Sequence, residues 1–298
     1  MKNLTEKLKK VGKEINNYYK SISLGLYEKA LLDNLDWKDR LLLAKAAGYN
    51  FMEISIDETD ERLERLKWDK IKIKKLRDIV YETEIPLITM CLSGNRRFPI
   101  GSSFKDIQKK GMEILIDAIY FAHHLGIRII QVAGYDEIAG EPSTKKSQET
   151  YGKNLKIALK VASSLGVMLA IENVDVEFGD SLDKIIKYVK ENDSPWLQLY
   201  PDMGNLVAMD KDVLAQFKLA KSRIAAIHIK DTKKNVVRRV PYGEGIVDFV
   251  SVFKQLKKIS FYGPMVLEMW FDKDKDNFEI VKNARLWVLE KIKEAEYF

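Results

Sequence analysis

The chain has 298 residues, of which 46% are hydrophobic and 32% are charged, so it can bury a large core as one barrel-sized domain or two smaller ones. Its 50 Lys and Arg residues exceed its 44 Asp and Glu residues, which gives a net charge of +6. The basic residues are spread out and interleaved with acids. This pattern is typical of solvated helix faces, with an anionic substrate as a second interpretation, and it argues against a nucleic-acid surface.

The cysteine content and the termini indicate the compartment. Cys91 is the only cysteine, which excludes an internal disulfide and a zinc-finger spacing. The N-terminus lacks a signal-peptide core, and no apolar run is long enough to cross a bilayer. We therefore expect a cytoplasmic protein with no membrane partner and no nucleic-acid partner.

Apolar, β-rich segments recur along the chain and begin about 30 to 40 residues apart, which is the size of one strand-plus-helix unit. The predicted strands cover residues 23–27, 51–56, 86–92, 127–133, 167–171, 197–200, 224–229 and 265–269. Helical patterns fill the intervals, and several end on a glycine such as Gly48, Gly126 or Gly166. A glycine just past the last apolar turn is a common helix stop.

Eight such units without a Pro/Gly/Ser-rich linker predict an α/β fold, the (β/α)8 TIM barrel, as one domain over residues 1–298. The rival is a doubly wound open sheet, but its GxGxxG fingerprint is absent. The nearest match, YGEGIVDF at 242–249, is interpreted as a turn in which Asp248 caps the next helix. Residues 1–20 predict an additional amphipathic helix that covers the barrel floor or packs on a partner, and the tail from Asn277 predicts the last barrel helix.

Polar side chains lie where four consecutive predicted strands end. They are Glu172, Asp202, His228 and Glu268. Each alone has an ordinary explanation as a rim charge, a turn residue or a hydrogen-bonded core histidine. Together, at the carboxyl ends of barrel strands, they would repel one another unless a cation neutralised them. The sequence thus predicts a bound divalent metal, and this ligand set suits Mn²⁺, Zn²⁺, Co²⁺ or Mg²⁺.

Several motifs, in this order, resemble a known family of enzymes. They are LGLYEKAL, EISIDETDERLERLKW, MCLSGNRRFPIGS, GIRIIQVAGYD, QLYPDMGNL, IHIKDTK, VPYGEGIVDF and LEMW. They are similar to the L-ribulose-5-phosphate 3-epimerases of the ascorbate-utilisation type, also called L-xylulose-5-phosphate 3-epimerases, among the xylose-isomerase-like TIM barrels. The resemblance runs from about Leu24 to the last helix, and short motifs such as GEGxxDF mark only the superfamily.

This resemblance implies a metal-dependent isomerase that inverts C3 of a ketopentose 5-phosphate in the catabolism of L-ascorbate or a related pentose. The family's metal ligands correspond to Glu172, Asp202, His228 and Glu268, and its two catalytic acid/base groups correspond to Glu172 and Glu268. Inversion next to a ketone removes a proton from one face and delivers another to the opposite face through an enediolate, whose charge a divalent ion stabilises. A homodimer is also expected from the resemblance.

Substrate contacts are predicted at five further positions, which are Ser93, Arg96, Arg97, Asn205 and Lys230. Arg96 and Arg97 suit a phosphate, or equally salt bridges within a loop. Asn95 stands where similar epimerases often have a histidine, which puts a substrate contact there in question. Asp231 either touches substrate or orients its loop, and His123 and His124 lie in a helical pattern and are interpreted as structural.

Other functions remain to be weighed against the 3-epimerase. An aldose–ketose isomerase would move hydrogen between C1 and C2, and a related 3-epimerase would act on another ketose. An endonuclease IV-like nuclease would need more histidines than the 3 in this chain. A noncatalytic sugar-phosphate or partner-binding barrel would not need carboxylates on opposite faces of a bound sugar.

Overall fold

The structure is a computed structural model that describes residues 22–274 and 276–297. Eight parallel strands form one curled sheet in the order β6-β5-β4-β3-β2-β1-β8-β7. The strands are β1 Leu24–Tyr27, β2 Phe51–Ser55, β3 Leu87–Leu92, β4 Ile129–Ala133, β5 Met168–Glu172, β6 Leu197–Leu199, β7 Ile227–Ile229 and β8 Met265–Leu267. Nearly every strand residue is buried, because helices cover the outside of the barrel and side chains fill its interior.

The last gap in the ring lies between β6 and β7. Isolated parallel bridges pair Leu199 with Ile224 and Asp202 with His228 across this gap. Their backbone hydrogen bonds run from Ala225 N to Leu199 O and from His228 N to Pro201 O, both at 2.9 Å. The barrel is therefore closed, but this seam has fewer backbone bonds than a regular ladder.

Helices follow the strands and pack around the sheet. They are α1 Trp37–Ala46, α2 Asp60–Glu64, α3 Lys70–Thr83, α4 Lys105–Leu125, α5 Lys145–Ser164, α6 Leu182–Asn192, α7 Met203–Ala208, α8 Val213–Ala220, α9 Phe249–Lys258 and α10 Asn277–Glu294. Aspartate caps the N-terminus of several of them, as Asp248 does by accepting a hydrogen bond from Ser251 N. Gly126 and Gly166 adopt φ of +78° and +68° after α4 and α5, a left-handed conformation that glycine favours.

The predicted fold is confirmed. Each strand overlaps its predicted segment, α10 begins at the predicted Asn277, and Asp248 caps α9 as the YGEGIVDF stretch indicated. The predicted helix at residues 1–20 lies outside the described residues. Among the described helices, none is both long enough and apolar enough to cross a membrane.

Candidate active site

Four side chains meet at the carboxyl-terminal rim of the barrel, and we call them the rim cluster: Glu172, Asp202, His228 and Glu268. Glu172 is the last residue of β5, His228 lies in β7, and Glu268 directly follows β8. All are buried, and one ligand-type atom from each lies within 4.8 Å of the others. The predicted convergence of these side chains is thus present in the folded chain.

His228 is held by a carboxylate on each side of its ring. Nδ1 lies 2.6 Å from Glu172 Oε1, and Nε2 lies 2.6 Å from Glu53 Oε1. Glu53 is fully buried in β2, and its other oxygen accepts a hydrogen bond of 2.7 Å from the Tyr200 hydroxyl. Burial lowers the pKa of His228, but Glu53 and Glu172 outweigh it and raise this pKa well above its ordinary value. The ring is therefore fixed in orientation by hydrogen bonds at both nitrogens.

The two carboxylate oxygens of Asp202 have different roles, one capping a helix and the other facing the rim cluster. Oδ1 accepts a hydrogen bond of 2.8 Å from Asn205 N and so caps α7. Oδ2 points to Lys230 Nζ at 2.7 Å. Asn173 fixes the backbone of Asp202 by accepting from its N–H and donating to its carbonyl. Asp202 thus shapes the turn after β6 and also presents an oxygen to the rim cluster.

The Lys230 ammonium lies among these carboxylates. It is 2.7 Å from both Asp202 Oδ2 and Glu268 Oε2, and it donates to Asn205 Oδ1 at 2.9 Å. Only 3% of Lys230 is exposed, so this is a buried cation in a strongly acidic environment. Lys230 therefore offsets part of the negative charge of the rim cluster.

The carboxyl groups of the rim cluster differ in proton affinity. Burial raises the pKa of Glu172, with a further contribution from Glu268. Burial also raises the pKa of Asp202 to about 7, against the attraction of Lys230. For Glu268 burial is outweighed by Lys230 and His228, which lower its pKa to about 2. Neighbouring buried carboxyls with such different pKa values are typical of functional sites.

The donor set fits a divalent metal ion. Three carboxylates and an imidazole converge in a buried space, and they carry more negative charge than Lys230 can offset. Asp202 Oδ2 and Glu268 Oε2 are buried and accept no hydrogen bond of good geometry from the described residues, although Lys230 lies beside both. Buried oxygen atoms without a hydrogen-bond donor are well suited to be metal ligands, and this mixture of oxygen and nitrogen donors is common for Mn²⁺ or Zn²⁺.

Comparison with known proteins places this chain in a family. Residues 41–291 match the family model described as xylose isomerase-like TIM barrel. The chain belongs to this family. The L-ribulose-5-phosphate 3-epimerase UlaE of Escherichia coli O157:H7 (strain EC4115 / EHEC) is 42% identical over 276 residues, which cover 93% of this chain and 97% of UlaE. As a homologue of sugar-phosphate epimerases, this xylose isomerase-like barrel is an enzyme of the isomerase class, and the resemblance seen in the sequence is confirmed.

Solved structures share the barrel at low sequence identity. An L-ribulose 3-epimerase aligns with a TM-score of 0.74 and 19% identity over 93% of this chain and 96% of its own. The IOLI protein, whose structure contains a zinc atom, aligns with a TM-score of 0.77 and 17% identity over 93% of this chain and 99% of its own. These likenesses confirm the fold of this family member.

The structure separates the predicted substrate contacts into two groups. Asn205 and Lys230 contact the rim cluster directly, as described above. Arg96 is half-buried, with its guanidinium 5.8 Å from the centre of the Tyr135 ring. Arg97 instead pairs with Asp60 at 2.7 Å on the exposed surface. The structure therefore gives Arg97 the salt-bridge role, while the phosphate interpretation of Arg96 stays a prediction.

The predicted Ser93 and the questioned Asn95 lie in the turn after β3. Ser93 begins this turn and is half-buried. Asn95 is buried, and its amide donates to Phe98 O at 3.2 Å and Gly111 O at 3.3 Å. Asn95 therefore holds the turn against α4. Asp231 has a comparable structural role, since its carboxylate accepts hydrogen bonds from Gly243 N and Gly245 N at 2.9 and 3.0 Å.

Sequence reasoning missed Glu53 and Gln131. Glu53 interrupts the apolar strand FMEISI, and Gln131 interrupts IIQVA and donates to Glu172 Oε2. A lone polar residue in a buried strand was the available signal, because such a group needs a partner inside the barrel.

Proposed function

We propose that the protein catalyses metal-dependent 3-epimerisation of a ketopentose 5-phosphate, interconverting L-xylulose 5-phosphate and L-ribulose 5-phosphate. The observation that carries this proposal is the rim cluster, in which Glu172 and Glu268 approach one buried space from β5 and β8. A relative that is 42% identical and carries the name L-ribulose-5-phosphate 3-epimerase supports the choice of reaction and substrate.

The metal would be held by Glu172, Asp202, His228 and Glu268. When bound, it supplies Lewis-acid stabilisation for the negative charge that develops on the sugar oxygens next to C3. The other requirements fall on the protein: to orient the sugar, to keep water out and to move the C3 proton.

Glu172 and Glu268 are proposed as the acid/base pair. One carboxylate takes the proton from C3 on one face of the sugar, and the other carboxyl returns a proton to the opposite face. Gln131 and His228 contact both oxygens of Glu172, while Lys230 contacts Glu268, so each carboxyl is held in a defined orientation. The assignment of acid and base exchanges with the direction of the reaction.

Lys230 and Asn205 are proposed to position the substrate. The Lys230 ammonium contacts Asp202, Glu268 and the Asn205 side chain, so it lies at the reacting centre. Both residues offer N–H donors suited to sugar hydroxyl or carbonyl oxygens. Their common burial would keep those hydrogen bonds away from competing water.

The test is proton exchange at C3. The purified protein, reloaded with Mn²⁺ or Zn²⁺, is incubated in D₂O with L-ribulose 5-phosphate and followed by NMR. We expect deuterium at C3 and formation of L-xylulose 5-phosphate, with loss of both in Glu172→Gln and retention of both in Glu191→Gln, which changes an exposed glutamate of α6. Exchange at C1 alone would instead identify an aldose–ketose isomerase, and exchange at C3 only with another ketose would identify a different substrate.

A further inference from the structure

The atoms of the rim cluster that would contact a metal ion can be named individually. His228 Nδ1 lies 2.6 Å from Glu172 Oε1. The same nitrogen lies 3.9 Å from Asp202 Oδ2 and 3.9 Å from Glu268 Oε2. The other oxygen of Asp202, Oδ1, caps α7 by accepting from Asn205 N, so Oδ2 is the oxygen that remains for an ion. A divalent ion held by the rim cluster would therefore share these four atoms as ligands.

The Lys230 ammonium is already in contact with two of these four atoms. Its Nζ lies 2.7 Å from Asp202 Oδ2 and 2.7 Å from Glu268 Oε2, which is within the usual range for an ammonium paired with a carboxylate. Within the described part of the chain, no other Lys or Arg pairs with either carboxylate. Lys230 therefore supplies the positive charge that these two oxygens have in the absence of a metal ion.

An ammonium group and a divalent ion compete for the same two oxygens. If Lys230 kept both contacts after an ion had bound, two positive charges would lie side by side in a buried space. Like charges repel strongly there because little solvent screens them. A divalent ion carries twice the charge of an ammonium group and accepts lone pairs from the carboxylates directly. We therefore expect the ion to take the two oxygens and the ammonium to leave them.

Two neighbouring groups can hold the ammonium once it has left the carboxylates. Asn205 Oδ1 accepts a hydrogen bond of 2.9 Å from Lys230 Nζ, and the Asn205 amide is itself fixed by donating to Asn173 O at 2.9 Å. Nζ also lies 5.9 Å from the centre of the Trp270 ring, within the range of a cation–π interaction. The Trp270 ring packs edge-on against Tyr27 at 6.2 Å. Lys230 can therefore change partners without leaving the rim.

We propose that Lys230 is an exchangeable counter-ion of the metal site. In the metal-free protein it holds the ligand oxygens of Asp202 and Glu268 in place, and a divalent ion displaces it from them toward Asn205 and Trp270. Metal binding is then an exchange of one cation for another, which keeps the carboxylates from repelling one another in either state. The exchange also frees ammonium N–H groups for a sugar oxygen. Only this last step rests on the proposed function.

The first experiment measures metal affinity. Binding of Mn²⁺ to the metal-free protein is followed by calorimetry for the wild type, Lys230→Met and Lys233→Met, the last of which changes an exposed lysine of the same loop. Removal of the competing cation should tighten Mn²⁺ binding about 10- to 100-fold in Lys230→Met, because the ion no longer has to break a charge-assisted contact. Lys233→Met should bind Mn²⁺ as the wild type does. A lysine with only a structural role gives equal or weaker binding in Lys230→Met, and that result overturns the exchange.

The second experiment uses the wild type alone, so it does not depend on the folding of a variant. Crystal structures are determined with EDTA and with Zn²⁺. We expect Lys230 Nζ to contact Asp202 and Glu268 with EDTA and to lie beyond about 3.5 Å from both carboxylates with Zn²⁺. If Nζ keeps both contacts beside a bound Zn²⁺, the exchange is wrong. Neither experiment needs turnover, so a wild type without proton exchange at C3 would disprove the proposed reaction and leave the cation exchange to be judged separately.

Discussion

Glu53 Oε1 and His228 Nε2 are 2.6 Å apart in the interior of the barrel, with the Tyr200 hydroxyl bonded to the other oxygen of Glu53. The carboxylate accepts the Nε2 proton, so the opposite nitrogen, Nδ1, is the one that faces Glu172. A ligating histidine is commonly oriented in this way by a carboxylate behind it. Glu53 is therefore a positioning residue for the rim cluster, although it is not one of its members.

Glu53→Gln is expected to weaken metal binding by about 10- to 100-fold. The amide that replaces the carboxylate donates toward Nε2, which favours the tautomer with its proton on Nδ1 and removes the lone pair that a metal needs. Calorimetric titration of the metal-free protein with Mn²⁺ or Zn²⁺ measures the change. Glu64→Gln, an exposed position, is the control and should bind as the wild type does. Equal affinities in all three proteins would mean that Glu53 does not orient the histidine.

Lys230→Met is expected to destabilise the metal-free protein by about 3–5 kcal/mol, as for removal of one partner of a buried ion pair. It removes the cation that lies 2.7 Å from both Asp202 and Glu268 and leaves buried carboxylates unpaired. A divalent ion can offset the same charges, so metal should raise the melting temperature of this variant more than that of the wild type. Thermal unfolding with EDTA measures the loss of stability of the metal-free variant, and thermal unfolding with excess Mn²⁺ measures the rise in its melting temperature.

The matched control for that change is Lys233→Met, which alters an exposed lysine of the same loop. It should unfold like the wild type under both conditions. If Lys230→Met lost the same stability with and without metal, the ammonium and the ion would not be compensating the same carboxylates.

Glu28 supplies a pH-dependent contribution to stability. It is fully buried and contacts Arg62 and Arg65 at 2.8 Å. Burial raises its pKa, but Arg65 and the other arginines outweigh burial and lower the pKa below the ordinary value of 4.5. A lowered folded-state pKa contributes stability that is present above 4.5 and is lost as pH falls through the folded value.

Glu28→Gln should therefore cost about 3 kcal/mol at neutral pH, and the difference from the wild type should shrink as pH drops below the ordinary glutamate pKa. Urea unfolding of both proteins between neutral and acidic pH measures the gap. The exposed Glu290→Gln should follow the wild type throughout. A gap that stays constant with pH would show that the Glu28 charge is not what stabilises the arginine cluster.

Asp231 anchors the loop that carries Arg238. Its carboxylate accepts from Gly243 N and Gly245 N, and a Cβ on Gly245 would lie 1.9 Å from Asp231 Oδ1. Asp231→Ala should increase local opening of this loop by about 10- to 100-fold, as for loss of hydrogen bonds to a charged acceptor. Limited trypsin digestion at the exposed lysines of the loop reports that opening, with Asp78→Ala on α3 as the control. No gain in cleavage would mean that other contacts hold the loop.

The strands and the rim cluster could be predicted for the same physical reason. Barrel strands are buried on both faces, so the sequence of each strand is a continuous apolar run. A charged residue directly after such a run lies at the rim of the barrel. Glu172, which directly follows the apolar run of residues 167–171, was therefore visible without a structure. The parallel strands then bring their ends together whatever the details of the connecting helices.

Other parts of the site depend on distances that the sequence does not encode locally. Glu53 points inward to His228, which is 175 residues away in the sequence. Because every residue of β2 is buried, the strand shows no alternation of polar and apolar residues that would identify its inward face. Gln131 likewise meets Glu172 from 41 residues away because β4 and β5 are neighbours in the barrel. The predicted homodimer and the identity of the metal stay predictions.

The position of the rim cluster at the β6–β7 seam connects metal binding to the stability of the barrel. Asp202 and His228, which form one of its isolated bridges, also supply two of the four side chains of the rim cluster. A metal ion bound by both residues would link β6 to β7 where the barrel has the fewest backbone hydrogen bonds. Loss of that ion would then favour local opening between β6 and β7 rather than unfolding of the whole barrel. Amide hydrogen exchange would rise first along β6, β7 and the turns that follow them.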